Sequence, residues 1–400
     1  NTIIYHMKLT CISLKGVTGL ISGFLVAGML MTCNALRRGG DAVLPYDKAA
    51  FEKEINGKTT GLYVLKNKNG MLVSLSDYGA RIVSLYAPDK NGKMEDVVLG
   101  CPSIEEYVLG NPGVGAVIGP VANRISGAWF EIEGIRYELP ENKKGVCHHS
   151  GPDSFYRQVW EGREVPCDTG ASVEMYLFTP DGRWGFPGNK EVTVRYTLTD
   201  DHALVIDYRA ITDKSCYMNL TNHAYFNLGG PDCGHILDHL LEIHADSFTP
   251  FAGEDLVLSG EIRSVKGTDL DFTQPVRIGE RIESEMEQMQ LAGGYDHNYV
   301  LNKDGKDEHL TFCARVSDPV SGRVMECFTT EPGVQFYTAN FLNGTMQGNG
   351  REFLTSRSGL CLETQHFPNS PHIPHFPCTL LEPEDTLKSR TIYRFSVTSD

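Results

Sequence analysis

Two residues far apart in this chain have the chemistry of a proton donor and a proton acceptor. His223 lies in the stretch LTNHAYFNLGG at residues 220–230, between a polar segment and an aromatic one. Imidazole is the side chain best suited to moving protons near neutral pH. Glu363 lies in LETQHFPNSP at residues 362–371, just after Cys361 and just before a proline-bearing loop. That context predicts a carboxylate at a strand end, oriented by a rigid turn. The two residues can meet only through the fold. If they meet on opposite sides of one bound ring, they are the acid and the base of a single reaction. The rival readings are a satisfied core histidine and an edge-strand acid.

Three further segments combine turn residues with polar and aromatic side chains beyond what a plain sheet needs. GPVANRISG at residues 119–127 places Arg124 directly after Asn123. A guanidinium offers a planar fork of donors suited to a pair of neighbouring hydroxyls. VCHHSGPDSFYRQVW at residues 146–160 carries His148 and His149 side by side. In an extended strand these point to opposite faces, so only one is expected in a pocket. GGYDHNYVL at residues 293–301 carries Asp296 next to His297. Trp184 and Phe186, in DGRWGFPGN at residues 181–189, could wall a sugar site, because apolar sugar faces stack on aromatic rings. Metal and nucleotide signals are missing. There is no HExxH, no CxxC pair, no phosphate-binding glycine loop and no GxSxG elbow.

The elements that must position these residues read as strands. Residues 72–76, 80–85, 174–178, 191–198, 204–208, 323–328 and 391–397 alternate apolar and polar side chains. Turn signals such as Asn91-Gly92 and Asp181-Gly182 separate extended stretches. Only residues 103–108 and 278–291 suggest helices. The pattern predicts an all-β antiparallel sandwich with few short helices. No break in composition divides residues 45–400, so they are expected to form a single domain.

A formal net charge of −15 argues against a partner bound through phosphate contacts, and no nucleic acid is expected. An uncharged run at residues 16–33 follows Lys8 and Lys15 and precedes Arg37 and Arg38. Residues 1–40 therefore read as an export signal or lipoprotein-type leader, with Cys33 as the acylated residue of a loose lipobox. The expected location is the periplasm or the cell envelope, the alternative being the cytoplasm. Any membrane attachment would run through Cys33 alone. A monomer or weak dimer is expected. Nine dispersed cysteines follow Cys33 and read mostly as small buried hydrophobes.

The ordered series Asn123-Arg124-Ile125, His149-Ser150-Gly151, Trp160, DGRWGFPGN, TNHAYFNLGG, GGYDHNYVL, PGVQFYTANF at residues 332–341 and ETQHFPNSP resembles the aldose 1-epimerase, or galactose mutarotase, family. The resemblance spans roughly residues 60–397. It implies a large β-sandwich with a sugar cleft and interconversion of the α and β anomers of free hexoses such as galactose and glucose. It implies Glu363 as catalytic base and His223 as catalytic acid. Arg124, His149 and Asp296 become hydroxyl-binding residues, with Asn123 and Gln365 beside them. No cofactor and no metal is implied. Ser150 stands where the family pattern usually has a second glycine after histidine, and Arg183 and Trp184 stand where it usually has an acid or amide. For His223 to donate a proton it must be charged, so a neighbouring carboxylate that raises its pKa is expected. The competing readings are a glycoside hydrolase using Asp296 and Glu363, a hexose-phosphate epimerase with extra basic residues at the cleft, and a non-catalytic sugar-binding module.

Overall fold

Strict alternation builds the largest sheet. In Lys190–Thr199, Val192, Val194 and Tyr196 are fully buried, while Glu191 and Arg195 face solvent. This strand pairs antiparallel with Gly170–Thr179 on one side and Ala203–Thr212 on the other. Nine strands follow one another across the sheet. From one edge they run Glu161–Val165, Gly170–Thr179, Lys190–Thr199, Ala203–Thr212, Leu387–Val397, Arg323–Thr329, Thr311–Ser317, Leu240–Ile243 and Val276–Arg277. The last long strand, Leu387–Val397, is inserted at the centre, between Ala203–Thr212 and Arg323–Thr329.

Two smaller antiparallel sheets cover it. One is a meander of Leu62–Lys66, Leu72–Ser76, Arg81–Pro88 and Met94–Asp96. The other has five strands in the order Arg263–Ser264, Ser247–Thr249, Asp296–Val300, Gly333–Tyr337 and Cys361–Gln365. The layers share one apolar core containing Leu85, Val194, Ile206, Val334, Phe336, Leu362 and Tyr393. Buried tyrosines tie the layers together through backbone carbonyls. Tyr196 Oη donates to Ala80 O at 2.5 Å, and Tyr393 Oη donates to Leu362 O at 2.8 Å. Each hydroxyl thereby keeps a partner where water cannot reach it. The architecture is the antiparallel β-sandwich that the alternation predicts.

The structure, a computed structural model, describes residues 46–110, 113–303 and 309–398. Tyr46–Asp400 form one compact unit. The leader at residues 1–40 and Cys33 lie outside the described residues. Among the described residues no helix is long and apolar enough to cross a membrane. The short helix expected at residues 103–108 is Ile104–Leu109. The long helix expected at residues 278–291 does not form. Ile278–Glu280 makes one 3-10 turn, and only Glu287–Ala292 is α-helical, ending at Gly293 with φ +62°. Its acidic face carried the helical pattern, but Ile278, Ile282 and Met289 are each drawn separately into the core. Six of the nine described cysteines are buried and all nine are free thiols. Phe186 is buried in the core, and Trp184 packs against that core beside Phe155. Neither walls a ligand site, because the turn at Gly182, in the left-handed region, folds them inward.

Ile206 is fully buried at the centre of the nine-stranded sheet. Ile206→Ala should cost about 2–5 kcal/mol of unfolding free energy. Urea denaturation would read this as a lower midpoint at unchanged slope.

Candidate active site

Antiparallel register places the chemistry. Residues directly opposite one another on paired strands share a face of the sheet. Asp296 pairs with Tyr337, and Tyr337 with Cys361. In the next row Asn298 pairs with Gln335, and Gln335 with Glu363. In the row after, Gly333 pairs with Gln365. One face of the five-stranded sheet is therefore a grid of polar groups. The opposite face holds Tyr299, Val334, Phe336 and Leu362 and packs into the core. Glu363 sits in the middle of Cys361–Gln365, not at the strand end that its proline-bearing sequel suggested.

His223 arrives from a different element. Thr221–Asn222 pairs with Val117–Ile118, and the pairing continues as His223 N donates to Ala116 O and Gly115 N donates to His223 O. Asn222 reinforces this by donating to Gly115 O and to Tyr196 Oη. Gly115 has φ +72°, and a Cβ there would lie 2.2 Å from Ile82 O, so only glycine permits the approach. The imidazole stacks on Tyr225, with centroids 4.9 Å apart and planes 12° apart. Its Nε2 lies 3.7 Å from Glu363 Oε1, and its Nδ1 lies 3.4 Å from Cys361 Sγ. The ring is thus held between a carboxylate and a thiol.

Arg124 opens the strand Arg124–Ser126, opposite His148 of Val146–His148. Its other edge is held by Asn369, from the loop that follows Glu363. Asn369 N donates to Arg124 O, and its Oδ1 accepts from Ser126 N and Ser126 Oγ. The guanidinium lies 3.8 Å from Asp296 Oδ2 and donates to Asn123 Oδ1. Gln335 Nε2 donates to Asp296 Oδ1 at 2.7 Å and to Asp296 O at 2.8 Å, fixing that carboxylate in turn.

His149 and Ser150 have φ of +52° and +61°, so the strand alternation stops at His148. His148 and His149 therefore do not point to opposite faces. Their rings lie 3.8 Å apart and both line one cavity. His149 Nδ1 accepts from Asn123 N at 3.1 Å, which leaves the proton of the neutral ring on Nε2, free to donate.

These side chains surround a cavity of about 370 Å³, a size suited to a small polar ligand. Its wall brings together His223, Glu363, Arg124, Asn123, His149 and Asp296 from the expected set. Gln365 is not in the wall. It is fully buried behind Glu363 and donates to Gln335 Oε1 at 3.4 Å, so it supports the grid rather than facing a ligand. Tyr156, Tyr225, Tyr337 and Phe341 supply the aromatic surface expected of Trp184 and Phe186. Lys143 and Arg157 also reach the wall. Sequence reasoning missed them because Lys143, in a turn, comes near Arg124 only in three dimensions, and Arg157 ends a short 3-10 helix with no motif of its own.

Burial dominates the electrostatics. It pushes the Glu363 carboxyl well above the usual carboxylate range. The negative Asp296 adds to the rise, and Arg124 partly opposes it. It lowers His223 to about 4, the opposite of the rise that a nearby carboxylate was expected to produce. Loss of hydration dominates, and a carboxylate 3.7 Å away does not reverse it. His149 is likewise held well below its ordinary value, by burial and by the neighbouring His223, Arg124 and Lys143. His223, Cys361 and Glu363 are three buried groups whose ligand-type atoms lie within 4.8 Å of one another.

The family model for aldose 1-epimerase matches residues 61–394. The chain belongs to the aldose 1-epimerase family. It is 40% identical over 325 residues to galactose mutarotase of Homo sapiens, covering 81% of this chain and 91% of that protein. It is 35% identical over 343 residues to aldose 1-epimerase of Escherichia coli strain K12, covering 85% and 96%. Among solved structures it is similar to galactose 1-epimerase from Lactobacillus acidophilus NCFM, with a TM-score of 0.76 and 26% identity over 87% of this chain and 97% of that one. It is equally similar, at TM-score 0.76 and 28% identity, to an aldose epimerase homologue from C. elegans, over 85% and 100% of the chains. The sandwich is the family's fold, and the ordered motifs read from the sequence lie within the matched residues.

The His223 ring should titrate near pH 4, seen in the pH dependence of its imidazole NMR signals. A midpoint at or above the ordinary 6.5 would contradict the dominance of burial. Asp296→Asn should lower the pKa of Glu363, since it removes a charge that raises it.

Proposed function

We propose that this enzyme interconverts the α and β anomers of free hexoses, with Glu363 as base and His223 as acid. The observation that carries the proposal is the approach of His223 Nε2 to Glu363 Oε1 at 3.7 Å inside one cavity. Anomer exchange needs a proton removed from O1 and a proton delivered to the ring oxygen O5. Both oxygens are bonded to C1, so donor and acceptor must converge on one carbon. The expectation that they stand on opposite sides of the ring is replaced by this requirement, and the short separation satisfies it.

Glu363 takes the O1 proton. The C1–O5 bond breaks, its electron pair goes to O5, and O5 takes the proton from His223 Nε2. The electron pair left on O1 completes the aldehyde. Rotation about C1–C2 and the reverse transfers then close the ring on either face. Atoms and electrons balance with no external reactant. Arg124, His149 and Asp296 hold the remaining hydroxyls and keep C1 in register with the pair.

The shifted pKa values serve this step. Glu363 as carboxylate with His223 as imidazolium, and Glu363 as acid with His223 neutral, contain the same number of protons. The first form starts ring opening and the second is what ring opening leaves. Burial disfavours the charged form, making His223 a stronger acid and Glu363 a stronger base than either is in water. Hydroxyls of a bound sugar restore hydrogen bonds to the carboxylate and draw the pair into its starting form.

Glu363→Gln and His223→Asn should each lower kcat by at least about a hundredfold, measured by polarimetry on freshly dissolved α-galactose. Near-normal rates would refute the assignment, and retained sugar binding without turnover would confirm that binding and chemistry are separate.

The pair works while it holds one proton between its two members. Below about pH 4 His223 is protonated alongside protonated Glu363, and no base remains. Above the raised Glu363 value neither group is protonated, and no acid remains. The profile of kcat/KM should fall on the acid side near pH 4, as His223 takes a proton, and again on the alkaline side, as Glu363 loses its own. An acid-side fall centred on the ordinary histidine value would count against it.

A further inference from the structure

Cys361 is the buried group beside the catalytic pair that the proposed reaction does not use. It shares a face of its strand with Glu363, two residues on, and its Sγ lies 3.4 Å from His223 Nδ1. The imidazole, the thiol and the carboxylate each present one ligand-type atom, and all three atoms lie within 4.8 Å of one another. Around a tetrahedral zinc ion, with Zn–S near 2.3 Å and Zn–N or Zn–O near 2.0–2.2 Å, neighbouring ligand atoms stand roughly 3.4–3.6 Å apart. The thiol-to-imidazole edge already has that length. The other two edges lie within 4.8 Å and must shorten when a cation binds.

We propose that His223, Cys361 and Glu363 form a binding site for a thiophilic divalent cation of the Zn²⁺ or Cd²⁺ class. One nitrogen, one thiolate sulfur and one carboxylate oxygen supply three positions of a tetrahedron. The fourth opens onto the cavity, where water or a sugar hydroxyl completes it. Soft thiolate with imidazole selects Zn²⁺ and Cd²⁺ over Mg²⁺ and Ca²⁺, which require an all-oxygen shell. Around the trio, Tyr225 is stacked on the imidazole, Tyr337 lies in the row of Cys361, and the Asp296 carboxylate is engaged by Arg124 and Gln335. Among the described residues, His223, Cys361 and Glu363 are the group whose ligand-type atoms converge within 4.8 Å. A cation on Nδ1 takes the proton acceptor outright and keeps the ring from carrying the second proton it needs as imidazolium, so it excludes the sugar and stops anomer exchange. That inhibitory consequence rests on the reading given under Proposed function, whereas the binding site does not.

Co²⁺ reports thiolate ligation through a near-ultraviolet sulfur-to-metal charge-transfer band. Adding Co²⁺ to the full-length protein should produce that band, and saturating galactose or added Zn²⁺ should remove it. Cys361→Ala should abolish the band although every other cysteine remains, and should weaken Zn²⁺ binding by at least about tenfold. Cys361→Ser, which nearly keeps the side-chain volume, gives the same comparison should the alanine variant fold poorly, with thermal melting as the control. Zn²⁺ should inhibit mutarotation competitively with sugar, and Mg²⁺ should have no effect. No band in the wild-type protein, or a band that persists in both Cys361 variants, overturns the site. A Cys361-dependent band with undisturbed mutarotation keeps the site and instead overturns the catalytic roles of His223 and Glu363.

Discussion

In the proposed reaction an acid and a base act on one carbon, so they must be kept together and out of water until a substrate intervenes. That constraint explains most of what surrounds the cavity. A carboxylate and an imidazole left in solvent would hold their ordinary pKa values and exchange protons with water. Enclosed as they are here, they lose hydration, and their shifts in opposite directions bring the two protonation forms of the pair toward one another. The cost is a pair of buried titratable groups with few hydrogen bonds of their own. The β-sandwich bears it because the sheet behind Glu363 is anchored through Leu362 and Tyr393 to the central strand of the largest sheet.

Rigidity of the supporting groups follows from the same need. Asp296 is fixed by Gln335, which in turn accepts from Gln365, so a chain of amides runs under the cavity floor. Arg124 is held between His148 and Asn369, segments that both lie later in the sequence, one near and one distant. The thiol of Cys361 can donate to the His223 Nδ1 or accept from it. It therefore remains a partner to the ring whichever nitrogen carries the proton. A carboxylate in its place would favour the charged imidazolium and oppose the shift that burial imposes.

Much of this was legible in the chain before folding. Alternation in Lys190–Thr199 and Ala203–Thr212 announced long antiparallel strands because both faces of each obey period two. The ordered motifs named the family, and six of the seven expected site residues line one cavity. What was not legible depends on backbone conformation or on long-range register. Alternation assigned His148 and His149 to opposite faces, but positive φ at His149 and Ser150 puts both rings in the wall. Trp184 looked like a sugar platform by composition, yet its φ of +55° turns it toward the core. Gln365 shares its motif with Glu363, and the period of two gives them the same face. Only the depth of the grid shows that one meets the cavity and the other lies behind it. Asn369 carried a signal that was overlooked, a turn-forming residue between two prolines that clamps the Arg124 strand. The direction of the His223 shift could not come from sequence, because burial and charge compete there and only coordinates decide which is larger.

The most direct measurement is a crystal structure of the Glu363→Gln variant with galactose bound, since that substitution keeps the shape of the pocket while slowing turnover. If His223 and Glu363 are acid and base, the reducing end of the sugar faces them. O1 then lies within hydrogen-bonding distance of the side chain at position 363, and O5 within hydrogen-bonding distance of His223 Nε2. A sugar bound with C1 toward Lys143 and the cavity mouth, or with His223 touching neither oxygen of C1, would contradict it.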